Sequence, residues 1–122
     1  MRLSDAMRIG AAIRPQCQGG MFRTSSKGIK YSCAVGAIME GLTGRSDITV
    51  DDFLYATFPI FSKKVSCPVN HQTMMVPTAS LGAIIIHLND NHGWTRERIA
   101  DWIDTIDIVP EPIVEEEELV CV

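Results

Sequence analysis

The chain has 122 residues, of which 46% are hydrophobic and 21% are charged, as in an ordinary globular protein of one domain. Its longest apolar run, residues 81–86, is far shorter than the roughly 20 residues that cross a bilayer. The N-terminal residues lack the apolar core of a secretory signal. We therefore expect a cytoplasmic protein without contact to a membrane.

The net charge of −4 conceals an uneven distribution along the chain. Residues 111–118 contain five glutamates, and without them the acidic and basic residues nearly balance. The first 30 residues carry a basic excess, with Asp5 as their single acidic residue. This excess predicts a docking surface for a protein partner or, as the alternative, for nucleic acid. A solvated surface without a partner would have the same composition. The residues of the predicted surface are Arg2, Arg8, Arg14, Lys27 and Lys30.

The apolar patterning and the terminal glutamates predict two regions. Residues 1–109 form a single helical domain, and residues 110–122 form an acidic, disordered tail. The four cysteines are spread widely along the chain. In a reducing cytosol we expect them to be free thiols or metal ligands rather than disulfides.

The N-terminal quarter of the chain predicts one helix followed by a loop. Ser4 can cap the helix, and Pro15 ends it. Residues 16–30 are rich in glycine and serine, which predicts a loop with a short strand near residues 21–24.

A second helix is predicted over residues 33–40, after Ser32 and before Gly41 or Gly44. Its small residues predict close packing at the centre of the domain. Cys33 at its beginning is a candidate nucleophile, because a helix N-terminus favours the thiolate. The apolar residues that follow favour the alternative of a buried core cysteine.

A cysteine-dependent hydrolase would need a histidine and an orienting polar side chain within hydrogen-bond reach of Cys33. The chain offers His87 or His92 for the first role and Asn89 or Asp90 for the second. The sequence contains no complete catalytic motif, which argues against an enzyme.

A third helix is predicted to begin after Thr49, with Asp52 completing a variant of the capping box, and to end before Pro59. Residues 59–77 contain three prolines and no clear period. They predict an irregular connection with a short strand near residues 60–65.

Two helices with clearer patterns follow. Thr78 or Ser80 caps a fourth helix that ends near Asn89, and its apolar residues on two sides predict burial on both sides. Thr95 caps a fifth helix, whose apolar spacing predicts one buried face. That face consists of Ile99, Trp102, Ile103 and Ile106.

The corner between these two helices favours turn chemistry. Asn89, Asp90 and Asn91 can accept hydrogen bonds from backbone donors, and Gly93 can adopt a positive φ. The histidines of this segment would then be satisfied by local hydrogen bonds. The many acidic residues around the fifth helix argue against a DNA-recognition helix.

Cys67, His71, His87 and His92 form a candidate metal site. Their order and spacing approximate those of zinc fingers, and zinc prefers four nitrogen or sulfur ligands in a tetrahedron. Asn70 stands where a Cys-x2-Cys pair would place its second cysteine. The metal site and the local hydrogen bonds are alternative interpretations of the same histidines.

Four segments together resemble a family of short uncharacterised proteins of phages, prophages and bacteria. Two of them are Ser32-Cys-Ala-Val-Gly-Ala and His87-Leu-Asn-Asp-Asn-His-Gly-Trp-Thr-Arg-Glu, and the others are residues 3–11 and the Cys67-Pro pair. The resemblance spans about residues 2–107 and implies a compact domain of phage-type origin, active in the host cytoplasm. It also implies a Cys-Pro-x-Cys pattern. This chain lacks the second cysteine of that pattern, so zinc would be lost or held by His71 instead.

The sequence thus predicts a small accessory protein of phage or prophage type that binds a host or viral macromolecule and needs no cofactor. A zinc-stabilised structural or binding domain is the first alternative. A cysteine-dependent hydrolase built on Cys33 is the second.

Overall fold

A computed structural model describes residues 1–69 and 78–107. Within these ranges the chain forms five α-helices, one 3₁₀ turn and four three-residue strands. The strands form two separate antiparallel pairs, β1 with β2 and β3 with β4. In chain order the elements are α1 (Leu3–Ala11), β1 (Phe22–Thr24), β2 (Lys30–Ser32), α2 (Ala34–Thr43), α3 (Asp52–Thr57), the 3₁₀ turn (Pro59–Ser62), β3 (Lys64–Ser66), β4 (Thr78–Ser80), α4 (Leu81–Asp90) and α5 (Arg96–Ile106).

The five predicted helices are confirmed, but the two strand pairs make the fold helix-rich rather than purely all-α. The strand predicted at residues 21–24 is observed as β1, and the one predicted near residues 60–65 begins later, at Lys64. No helix within residues 1–69 or 78–107 combines the length and apolarity needed to span a membrane. The predicted acidic tail, residues 110–122, lies outside the described residues.

Helix α1 crosses α2 at very short range. A Cβ atom added to Gly10 would lie 1.8 Å from the Ala37 carbonyl oxygen, and one added to Gly41 would lie 1.8 Å from that of Ala6. Both glycines are therefore required by the crossing itself, and α2 is the central helix that its small residues predict. The largest fully buried side chains around it include Leu3, Met7, Ile38, Met39, Phe61, Leu81, Ile84, Ile85, Leu88, Ile99 and Ile103.

Three predicted helix boundaries are confirmed, two of them in the second half of the chain. The Ser80 hydroxyl accepts a hydrogen bond from the Ala83 N–H (3.2 Å), and the Thr95 hydroxyl accepts one from the Arg98 N–H (3.1 Å). Gly44 ends α2 with a φ of +73°. These three predictions are confirmed because each depends on a side chain and backbone within one helical turn.

The caps predicted for the first and third helices are wrong. Helix α1 begins at Leu3, two residues earlier than a Ser4 cap predicts, so Ser4 lies in its first turn, fully buried, and donates a hydrogen bond to Asp104 of α5. Helix α3 begins at Asp52 after Asp51, without a capping hydrogen bond from a side chain. The two-sided burial of α4 is also wrong, because the Ile86 side chain is 40% exposed.

Candidate metal centre

Three of the four predicted metal ligands come together where the β3–β4 pair meets the corner between α4 and α5. Cys67 follows β3 directly, His87 lies in the last turn of α4, and His92 lies in the turn before α5. Helix α4 packs back against β3, which brings its C-terminal end beside Cys67. Residues distant in sequence thus meet because a short strand pair leads directly into the helix.

The three candidate ligand atoms lie within 4.8 Å of one another. The Cys67 Sγ is 3.6 Å from the His92 Nε2, which is 2.9 Å from the His87 Nε2. In a tetrahedral zinc site the sulfur–nitrogen and nitrogen–nitrogen edges are about 3.5 Å and about 3.3 Å, given the usual zinc–ligand bond lengths. The 3.6 Å distance matches its edge, the 2.9 Å distance is shorter than its edge, and the third pair of atoms lies within 4.8 Å. Admitting an ion therefore requires the side chains to move.

The surroundings suit histidine ligands. The His87 Nδ1 is 3.2 Å from the Asn91 Oδ1. An Nδ1–H that donates to this oxygen places the lone pair on Nε2, which faces the His92 Nε2, and a metal would replace that contact. This is the usual role of a residue behind a metal-bound histidine. Cys67 is buried, whereas His87 and His92 are half-buried. Solvent therefore reaches the cluster from the histidine side.

His71, the fourth predicted ligand, lies outside the described residues. The three ligands that the structure describes provide one thiolate and two imidazoles, a donor set typical of zinc.

Beside this cluster the corner is held by a buried asparagine. The Asn89 Oδ1 accepts hydrogen bonds from the Gln16 side-chain amide (2.8 Å) and the Ala34 N–H (3.0 Å). Its Nδ2 donates to the Cys17 carbonyl (2.9 Å) and to Asp90 (2.8 Å). The predicted role of Asn89 in the local turn is therefore wrong, because its partners lie on distant segments.

The remaining turn residues agree better with the prediction. Gly93 has a φ of +64°, as predicted. Asp90 does accept a backbone hydrogen bond, but from Gly19 in the loop after α1 (3.1 Å) rather than from the turn. The corner thus connects the end of α4 to the loop after α1 and to the beginning of α2.

Arg96 is a structural residue that the sequence interpretation missed. Its side chain is 5% exposed and donates to the Arg14 carbonyl (2.7 Å) and the Ser32 hydroxyl (2.9 Å). Burial lowers the pKa of its guanidinium. The helical spacing indicates that Arg96 is buried, since this residue falls on the same face of α5 as Ile99, Ala100 and Ile103.

The predicted basic docking surface is largely neutralised. Arg8 forms ion pairs with Asp101 (2.8 Å) and Asp104 (2.6 Å), and Arg2 forms one with Asp104 (3.2 Å). Burial alone would raise the pKa of the Asp104 carboxyl. Hydrogen bonds from Ser4 and Arg8, with the charges of both arginines, outweigh burial and hold this pKa below its ordinary value. These arginines therefore attach α1 to α5.

The other three residues of the predicted basic surface do not share the carboxylates that pair with Arg2 and Arg8. Arg14 pairs with the buried carboxylate of Glu40 (2.8 Å), and Lys30 donates to the Ser46 hydroxyl (2.8 Å). Lys27 is exposed in the turn between β1 and β2. The five residues thus do not form one continuous unpaired basic surface.

Cys33, the candidate nucleophile, is 7% exposed, and its Sγ accepts a hydrogen bond from the Gly36 N–H (3.4 Å). Burial raises the pKa of this thiol and outweighs the helix N-terminus that we expected to lower it. His92 contacts the sulfur of Cys67 instead.

Comparison with known proteins identifies no relative: no family model, curated protein or solved structure matches the chain. The resemblance to phage and prophage proteins therefore stays a prediction. Function has to be inferred from the residues themselves.

Proposed function

We propose that this protein is a zinc-binding domain in which Cys67, His87 and His92 hold the ion. The observation that supports this most strongly is the convergence of three donor atoms within 4.8 Å from three separate places in the chain. One thiol and two imidazoles are a combination of ligands that zinc sites commonly use.

The donor set favours zinc over magnesium or calcium, which prefer oxygen ligands. The role that fits best is structural. The ion would connect the end of β3 to the corner between α4 and α5, which otherwise depends on short elements. Because a site of this kind is incomplete in the unfolded chain, binding of the ion contributes directly to the free energy of folding.

The expectation of a phage-type accessory protein that binds a macromolecule stays a second proposal. Three residues of its predicted surface, Arg2, Arg8 and Arg14, form ion pairs within the chain. A zinc-stabilised domain is compatible with such a role at another surface.

Metal analysis of the purified protein tests the proposal. We expect about one zinc per chain and a melting temperature that falls when a chelator removes the ion. Cys67→Ser should abolish stoichiometric zinc, whereas Cys17→Ser, at a half-exposed cysteine outside the cluster, should retain it. Less than about 0.1 zinc per chain, with melting unaffected by chelator, would refute the proposal.

A matched variant, His71→Ala, tests the fourth ligand predicted from the sequence. If His71 binds the ion, the variant should hold zinc more weakly than the unaltered protein. If zinc affinity is unchanged, the protein supplies three ligands and the fourth position belongs to water or to an exogenous group.

A further inference from the structure

A cleft of about 350 Å³ lies on the side of α4 that the core leaves uncovered. Its apolar lining comes from Met21, Val35 and Ile86, and two carboxylates, Asp51 and Asp90, also line it. The cleft therefore joins segments from four parts of the chain: the loop before β1, the beginning of α2, the segment before α3 and the outer face of α4. Its volume is at the lower end of the range for ligand sites, enough for one or two side chains.

The two carboxylates lack a basic partner among the described residues. Neither Asp51 nor Asp90 forms an ion pair with any residue in 1–69 or 78–107. Asp90 is oriented by hydrogen bonds from Asn89 and Gly19 to its Oδ1. Both are only partly exposed. A negative field in a partly enclosed cleft attracts a cation more strongly than the same charges on open surface.

The apolar part of the cleft is exposed as well. Ile86, in its lining, is 40% exposed, although it lies in the middle of a helix. Val50, between the lining residues Thr49 and Asp51, is 60% exposed, and Phe53 on the next turn is 47% exposed. Large apolar side chains beside unpaired carboxylates are a composition that a docking partner would bury.

We propose that this cleft docks a segment of a partner protein that presents an arginine or lysine beside an apolar side chain. The aliphatic stem of the basic residue would lie on Met21, Val35 and Ile86, while its cationic end reaches Asp51 and Asp90. Charge complementarity decides the chemistry of the occupant, since an anionic segment would be repelled. The proposal goes beyond zinc binding and does not depend on it.

Two short peptides provide the probe: acetyl-Leu-Arg-Leu-amide and its neutral analogue with citrulline in place of arginine. Titration into ¹⁵N-labelled protein should shift the backbone amides of Gly19, Gly20, Met21, Cys33 and Val35 with the arginine peptide. The citrulline peptide should bind up to about fivefold more weakly, the effect expected for loss of a partly screened ion pair. Equal binding of both peptides, or no shift at the cleft amides, would overturn the proposal.

A pair of adjacent aspartates supplies the matched control. Asp51→Asn should weaken the arginine peptide about fivefold, and Asp52→Asn, which changes net charge equally but lies outside the cleft lining, should have little effect. If both variants weaken peptide binding equally, the peptide is attracted by the net charge of the protein, and a defined site in the cleft is contradicted. Both positions are at the surface, and a thermal melt of each variant verifies that it remains folded.

Discussion

The Asn89 Oδ1 accepts a hydrogen bond from the Ala34 backbone N–H at 3.0 Å, which joins the end of α4 to the beginning of α2. This bond satisfies one of the N–H groups that the first turn of any helix leaves without an internal partner. Asn89 is fully buried, and its amide also connects Gln16 and Cys17 to the same point. A single side chain therefore holds together three segments that have no strand or helix in common.

Asn89→Ala should lower the free energy of unfolding by about 3 kcal/mol. The substitution leaves buried donors on Gln16 and Ala34 without an acceptor, and an unsatisfied buried group costs more than the bond itself contributes. Urea unfolding of the metal-free protein measures the change. Gln18→Ala, at an exposed neighbour of the same loop, should change stability by less than about 0.5 kcal/mol. Equal midpoints for the two variants would contradict the account.

Gly41→Ala should destabilise the domain by more than about 3 kcal/mol. Alanine would favour the helix by about 1 kcal/mol on propensity alone. Its Cβ would however lie 1.8 Å from the Ala6 carbonyl oxygen, so α1 and α2 would have to separate. Gly20→Ala is the control, because the nearest atom to its added Cβ would be 3.6 Å away. A Gly41→Ala protein with unchanged thermal stability would show that the crossing is looser than described.

Asp104 should make stability depend on acid pH. Its folded pKa lies below the ordinary value, so its contribution is fully present above about pH 4 and is lost as the pH falls through the folded pKa. Asp104→Asn should lower the free energy of unfolding by up to about 1 kcal/mol at neutral pH, given the partial exposure of the ion pairs. It should also make the free energy of unfolding depend less on pH in the acid range. Urea unfolding from pH 7 to about pH 2 tests this. Asp52→Asn, at an exposed residue without an ion pair in the described ranges, should leave the profile unchanged.

Cys33 should resist alkylation in the folded protein. The thiol is almost fully buried and burial raises its pKa, so little reactive thiolate forms at neutral pH. Burial also raises the pKa of Cys17, but this thiol is half-exposed and the charges of Arg23 and Arg96 partly offset the effect. Iodoacetamide labelling followed by peptide mass spectrometry should therefore find Cys17 modified before Cys33. Faster labelling of Cys33 would revive the hydrolase hypothesis.

Local features of the fold could be predicted from the sequence, whereas long-range polar contacts could not. The caps at Ser80 and Thr95 and the helix end at Gly44 depend on neighbours within one turn, so residue type was enough. Asn89 looked like a turn residue because its type is common in turns. Only the path of the chain reveals that Ala34 and Gln16 lie beside it.

The candidate metal site and the basic residues show the same contrast between features visible in the sequence and contacts that only the fold creates. The spacing of Cys67, His71, His87 and His92 predicts a metal site from residue type, and three of these side chains lie together in the described part of the chain. The ion pairs of the basic residues could not be predicted in this way: their charge is visible in the sequence, but the carboxylates that pair with Arg8 and Arg14 come from other helices. Composition indicates which charges are present, and only the fold indicates which of them remain unpaired.

Cobalt(II) titration of the metal-free protein tests the central claim most directly, because its absorption spectrum reports both thiolate ligation and geometry. We predict a thiolate-to-cobalt charge-transfer band and intense tetrahedral ligand-field bands that saturate at one equivalent, disappear on addition of zinc, and survive in Cys17→Ser. In Cys67→Ser the charge-transfer band should be absent, and in His92→Ala the ligand-field bands should be altered. A spectrum of hydrated cobalt alone, or a charge-transfer band that persists in Cys67→Ser, would contradict the assignment of Cys67, His87 and His92 as a metal site.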